Sequence, residues 1–274
     1  MTRIINKKPS RFVRLMLGLL PFLLLIALYM AASQARLADN PNDKLLPAMS
    51  SFVEAINRMA FEPSKRSGEY LMLADTVASL TRLALGVGIS ALVALMVGVA
   101  NGMVPFVRAP LSPLVTAISL IPPMAILPIL FIVFGLGELS KVMLIIIGIC
   151  PIMIRDLQLR TDALPNEQIL KAQTLGASSW QTIIAVVIPQ ILPKLIEAVR
   201  LTLGSAWLFL IAAEAIAATE GLGYRIFLIR RYLAMDVILP YVLWISVLAF
   251  VMDWLLRKLS VHAFSWYHKT QGDA

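Results

Sequence analysis

Charge is scarce in this chain. Asp, Glu, Lys and Arg make up 15% of its 274 residues, against about a quarter in an ordinary soluble domain. Cysteine is scarcer still. Cys150 is alone and sits inside an apolar run, so no intrachain disulfide and no cysteine-based metal site can form. The only histidines, His262 and His268, lie near the C-terminus. A histidine-based metal site or catalytic triad within the apolar segments is therefore excluded. No segment reads G-x-x-x-x-G-K-[ST], so the chain carries no phosphate loop and should not hydrolyse ATP by itself. G-x-S-x-G is also absent. Gly221-Leu222-Gly223 is expected to be a turn, with no phosphate-binding helix after it. Nothing in the residue set points to catalysis, and no cofactor is called for.

What is abundant is apolar surface. Hydrophobic residues reach 59% and mean hydropathy is +0.82. A soluble chain so composed has too little polar surface to face water, so lipid is the implied solvent. A spanning helix needs about 20 apolar residues. Runs of that kind lie near 15–32, 77–101, 111–135, 140–154, 195–217 and 237–256, the fourth being short. The predicted fold class is an all-α membrane protein with about six transmembrane helices. Residues 1–14 form a basic N-terminal segment, with Arg3, Lys7, Lys8, Arg11 and Arg14. The first span and an external loop occupy 15–72. A core follows over 73–260, with an internal loop at 155–194 and a short tail at 261–274. The first apolar stretch is longer than a signal-peptide core and is read as retained, although Ala31-Ala32-Ser33 offers a cleavage-like site. The formal charge of +8 is read as span-end charge meeting anionic lipid, not as a nucleic-acid surface. With both termini inside, fourteen Lys/Arg fall on inner segments and nine on outer ones, Arg82 left aside. Arg225, Arg230 and Arg231 run against that bias.

The connection at 33–76, punctuated by Pro41, Pro47 and Pro63, reads as an external cap of short helices. The internal loop is punctuated differently. Pro165 precedes Asn166 and Glu167, a cap and first turn. The helix so begun should end at Leu175, with Gly176 as its left-handed terminator. Ser178 and Gln181 then have capping-box spacing. A second helix should run over 179–188 and stop at Pro189. Small residues four apart (Ala94, Gly98 and Gly102; Ala84 and Gly88) suit close helix packing. Pro122, Pro123 and Pro128 fall inside the third span, marking either a packing kink or a break that lines a path.

Charges within spans are expensive and usually functional. Arg82 should sit one or two turns inside the outer end of the second span, and Glu214 near the outer end of the fifth. Two readings stand for each. Either the side chain snorkels to water, or it faces a cavity, where Arg82 would attract an anionic solute. No inverted repeat or chain of intramembrane carboxylates is apparent, which disfavours a secondary transporter. A non-transport membrane scaffold remains the alternative from another class.

The internal loop also carries a resemblance. Bacterial ATP-binding-cassette importer permeases have a cytoplasmic signature of Glu-Ala-Ala, three residues, Gly, nine residues, then Ile-x-Leu-Pro. Here Leu170-Lys171-Ala172, Gly176 and Val186-Val187-Ile188-Pro189 keep that spacing, with Leu170 and Lys171 in place of Glu and Ala. The stretch Ala172 to Ser178, which includes Ala177, is similar to the version in nitrate, sulfonate and taurine permeases. So are Ala78–Arg82, Ile121-Pro122-Pro123-Met124, Phe134–Lys141 and Ala213–Gly223. The resemblance covers about 70–265. It implies the type I importer permease fold (MetI-like), two permease subunits acting as a pair, expected as a homodimer, and one cytoplasmic ATPase docked on each. It also implies an external solute-binding protein and a small anionic solute. In that setting Leu170, Ala172, Gly176, Ala177, Ser178 and Pro189 would form the ATPase-coupling loop. Arg82, Pro122, Pro123 and Glu214 are the candidates for the translocation path.

Overall fold

The computed structural model describes residues 10–40, 43–64 and 68–271, and those residues form helices and connections without a strand. Two compact units are found, one of residues 1–70 with 229–240, the other of 71–228 with 241–274. In the first, α1 (Arg11–Asp39) opens at Ser10, whose hydroxyl accepts from the Val13 amide at 3.3 Å. Its apolar window is entirely unburied, as befits a helix facing lipid. The connection after it folds back. Tyr29 donates to the Pro47 carbonyl at 2.8 Å and Ser33 to the Leu46 carbonyl at 3.0 Å. One short helix, α2 (Met49–Ile56), continues into a π-helical turn at Asn57–Phe61.

The second unit holds α3 (Leu71–Met103), α4 (Pro105–Ser119), α5 (Pro123–Phe134), α6 (Glu138–Asp162), α7 (Asn166–Thr174), α8 (Ser179–Thr182) and α9 (Ile188–Ala217). The start of α10 (Leu222–Arg230), most of α11 (Met235–Ala263) and α12 (Ser265–Gln271) belong to it as well. Its centre is α3 packed on α6. Every fourth residue of α3 supplies the seam: Arg82, Gly86, Ser90, Ala94, Gly98, Gly102. Lipid drives no hydrophobic association between helices, so close backbone approach has to do it. A Cβ on Gly86 would lie 2.7 Å from Ile145 Cγ2, on Gly98 2.8 Å from Leu157 Cβ, and on Gly102 2.5 Å from Thr161 Cβ. Ala84 and Gly88 take no part in this seam and are exposed.

These three pairs rise together along both helices, so α3 and α6 run parallel. Glu138, the first residue of α6, is then level with Ser79. Between Met103 and Glu138 the chain must climb back past about 24 helical residues, roughly 36 Å, which is a membrane thickness. The return is made by α4 and α5. They are bent by 97° at the break between them, so of the two expectations for the third span, a packing kink or a break, it is a break. Pro122 and Pro123 cannot continue a helix from Leu120, since neither donates an amide proton and each forces its predecessor out of the helical region. By contrast α9 runs against α6, with Gly148 against Phe209 and Arg160 on Glu197 at 2.7 Å. The direction of α11 follows from Arg200 on Asp253 at 2.8 Å and Tyr241 on Asp75 at 3.1 Å. The starts of α3 and α6, the end of α9 and Tyr241 of α11 therefore share one side of this unit. The segment 163–187 lies on the other.

Several boundaries differ from the expectations. The fourth span is not short, because α6 has 25 residues and its charged last turns stay helical, with Arg160 on Asp156 at 2.8 Å. Asn166 is the first helical residue, and Pro165 holds the cap position without a side-chain bond. Pro189 does not stop the second loop helix. Ser179–Ala217 is one 39-residue helical run. A π-helical turn at Ile183–Val187 directly precedes Pro189, and this local change of hydrogen-bond register lets the run pass a residue that has no amide proton to donate.

Candidate functional site

Two constructions mark the two sides of the second unit. On one side the loop is built by its own punctuation. Gly176 has φ +86. The Ala177 amide donates to the Ala172 carbonyl at 3.0 Å and the Gly176 amide to the Gln173 carbonyl at 2.9 Å. This pair of bonds is a Schellman closure, which satisfies the last carbonyls of α7. Two residues later Ser178 and Gln181 exchange bonds at 3.3 and 2.8 Å, the complete capping box. Helix end, turn and helix start thus follow within six residues, which leaves little freedom in the angle between α7 and the α8–α9 run. Gln190 donates to Gln168 at 2.8 Å, tying that run back to α7. Leu170, Leu175 and Trp180 are exposed here, Leu175 at 79% and Trp180 at 69%. They form an apolar projection on a loop that is otherwise polar.

On the opposite side lies a network of charges. Asp75, Ser79 and Arg82 follow one another at i, i+4 and i+7 on α3, hence on one face. The Nε and Nη2 of Arg82 both donate to Glu138, the latter at 2.9 Å, while Nη1 donates to Glu214 at 2.7 Å and to the Glu220 carbonyl at 2.9 Å. Lys141 reaches Glu138 at 2.7 Å. Glu214 accepts from Ser79 at 2.8 Å and from the Gly223 amide at 2.8 Å. Asp75 accepts from Arg225 at 2.7 Å, the Gly221 amide at 2.9 Å and the Tyr241 hydroxyl at 3.1 Å. Four acids, Asp75, Glu138, Glu214 and Glu220, face three bases, Arg82, Lys141 and Arg225. The turn at Glu220–Gly223 is cradled between them. Gly221 has φ +127, and a Cβ there would lie 2.6 Å from the Glu214 carboxylate, so only glycine fits both the conformation and the space.

Gly221-Leu222-Gly223 is therefore more than a turn. It opens helix α10, and its amides meet anions, but the anions are the protein's own carboxylates. The candidate residues Arg82 and Glu214 are brought together, whereas Pro122 and Pro123 stand apart at the α4–α5 break. Arg82 lies three turns inside α3, because that helix starts at Leu71 and not near residue 77. Neither Arg82 nor Glu214 snorkels: they are 3% and 0% exposed. Asp75, Glu138 and Glu214 converge within this network, each held by a cation. Leu170, Ala172, Gly176, Ala177 and Ser178 share the loop, while Pro189 is the second residue of α9. Asp75, Glu138, Lys141, Arg225 and Tyr241 are site residues that composition does not reveal. Asp75 is signalled only by the polar i, i+4, i+7 row on α3, and Glu138 and Lys141 only by lying in the family-like segment Phe134–Lys141; neither signal names a partner.

A model of the family described as "Binding-protein-dependent transport system inner membrane component" matches residues 86–261. The chain belongs to that family. It is 37% identical over 194 residues to the taurine transport system permease protein TauC of Escherichia coli (strain K12), covering 71% of this chain and 70% of that one. It is 28% identical over 195 residues to the putative aliphatic sulfonates transport permease protein SsuC of Bacillus subtilis (strain 168), covering 71% and 70%. The bicarbonate transport system permease protein CmpB of Synechococcus elongatus is 29% identical over 196 residues, covering 68% and 70%. Among solved structures, the inward-facing MetNI methionine ABC transporter superposes with a TM-score of 0.60 at 19% identity, over 70% of this chain and 95% of that one. That likeness is one of fold. The chain is thus a multi-pass inner-membrane permease component of an ATP-binding-cassette importer, with the MetI-like fold.

Proposed function

We propose that this permease provides the translocation path for a small anionic solute, taurine, another sulfonate, nitrate or bicarbonate, delivered by an external binding protein. A separate cytoplasmic ATPase drives it, and two copies of the chain form the path as a homodimer. Both termini are cytoplasmic in this reading, so the loop around Gly176 faces the ATPase and the charge network faces the exterior. The division into an N-terminal segment to 14, a first span and loop to 72, a core to 260 and a cytoplasmic tail goes with it.

The observation that carries the reading is the loop itself. A Schellman closure and a capping box fix it, and Leu170, Leu175 and Trp180 project from it to be gripped. Force applied there passes into α9 along one helical run from Ser179 to Ala217, through the π-helical turn at Ile183–Val187. The α9 run ends at the charge network on the other side, so a tilt begun at the ATPase reaches the outer mouth. The test is reconstitution. Vesicles holding the chain, its ATPase and its binding protein should take up the solute only with ATP, and the chain alone should show no ATP turnover. ATP hydrolysis by the purified chain, abolished by a mutation within it, would overturn the reading, as would uptake without the ATPase.

A further inference from the structure

We propose that Glu138 is a placeholder. In this assignment the Nε–Nη2 edge of Arg82, together with the Lys141 ammonium, is the seat that a small oxyanion takes when Glu138 swings away. The inference deepens the reading of an anion-importing permease and rests on it.

The argument begins with unequal burial. The Arg82 and Lys141 side chains are each 4% exposed and Glu214 is fully buried, yet Glu138 is 62% exposed. Glu138 covers both cations from the water side. The two edges of the Arg82 guanidinium also differ. Nη1 is committed to Glu214 and to the Glu220 carbonyl. Nε and Nη2 together hold only the Glu138 carboxylate at hydrogen-bond distance, with the exposed Glu220 carboxylate 3.9 Å from Nη2. A planar guanidinium edge presents two parallel N–H donors to any group with two coplanar oxygens. Carboxylate, sulfonate and bicarbonate groups all supply that pair, and a solute without an oxyanion group does not.

Charge then decides what can replace Glu138. Arg225 is matched by Asp75, and Arg82 by Glu214. With Glu138 withdrawn, Lys141 is left with no carboxylate at hydrogen-bond distance among the described residues, and the Nε–Nη2 edge of Arg82 faces only the exposed Glu220 carboxylate, 3.9 Å away. A buried cation stripped of its partner is strongly unfavourable, so Glu138 leaves when another anion arrives and not otherwise. Glu214 cannot play this part, because Ser79, the Gly223 amide and Arg82 pin it.

The position suits an entrance. Glu138 is the first residue of α6, follows the exposed stretch 135–137, and lies on the side of the unit opposite the Gly176 loop. An anion handed over there meets the exchangeable pair first. Selectivity for charge would thus be exercised by the permease as well as by its binding protein.

Glu138→Cys gives a direct reading, since the only native cysteine, Cys150, is buried. In the assembled permease–ATPase complex, this thiol should react at least tenfold faster with a sulfonate-bearing thiosulfonate reagent than with its trimethylammonium counterpart. Methanesulfonate should slow the reaction and choline should not. Arg82→Gln added to the same background should erase the preference. Equal rates, a preference for the cationic reagent, or a preference that survives Arg82→Gln would overturn the proposal. The isosteric Glu138→Gln provides the second measurement. Calorimetric titration of the complex with methanesulfonate should show binding at least tenfold tighter than in wild type, and no tightening would also overturn it. Both readings concern a local field and need no transport, so they fail separately from the uptake experiment that tests the transporter itself.

Discussion

Substitution of Gly176 is expected to uncouple the permease without unfolding it. The residue has φ +86, and a Cβ built on it meets nothing within 4 Å. The cost of a side chain is therefore conformational and not steric. For alanine in a left-handed conformation it is about 1–2 kcal/mol, a factor of roughly 5–30 in the population of the closed loop. A β-branched residue is a worse fit to positive φ, and asparagine a better one. Gly176→Val should thus lose most ATPase binding, Gly176→Ala should lose part, and Gly176→Asn should stay near wild type. None of the spans contains this position, so all three variants should insert normally. The assay is co-purification of the ATPase with the permease at matched membrane levels, together with ATP-driven uptake in vesicles. Wild-type values for Gly176→Val in both would show that the loop only connects. A Gly176→Asn variant as poor as Gly176→Val would show that side-chain bulk matters and backbone conformation does not.

Removing Asp75 by Asp75→Asn leaves the half-buried Arg225 without its carboxylate, at a cost of up to about 3 kcal/mol; thermal unfolding in detergent should show it, and Asp75→Asn/Arg225→Gln should recover part of the loss, while strict additivity would refute the pairing. Gly148→Val drives a side chain into Phe209, which a Cβ there would approach to 2.3 Å. Overpacking of this kind costs about 1–3 kcal/mol, and Phe209→Ala on the same background should relieve it; two losses that simply add would contradict the contact. In the first unit, the Leu45 amide, with Arg36, holds the Asp43 carboxyl below its ordinary value. A depressed carboxyl stabilises the fold above the unfolded pKa and ceases to do so as pH falls through the folded one. Amide exchange around 43–47 should accelerate as pH is lowered past about 4, after correction for intrinsic rates, and Asp43→Asn should remove that acceleration; a flat profile in wild type would refute it.

The sequence by itself determined whatever depends on local chemistry or on solvent. Apolar run length placed the helices in lipid, because each backbone bond must close within its own segment there. Gly176, Ser178 and Gln181 announced the helix end and start they make, since capping bonds reach only a few residues along the chain. The same local rules misjudged Pro189, because whether a helix continues past proline depends on how the turn before it, here π-helical, is hydrogen-bonded. Tertiary structure decided the rest. That α3 and α6 run parallel, and that α4 and α5 must carry the chain back between them, follows from contacts between Gly86 and Ile145 and between Gly98 and Leu157, which no periodicity specifies. The charge network was equally hidden. Asp75 lies 150 residues from Arg225 and Arg82 lies 132 from Glu214. Each is an ordinary polar residue in its own segment. They form a site because close packing excludes water, and a charge without water must find its counter-charge on another helix.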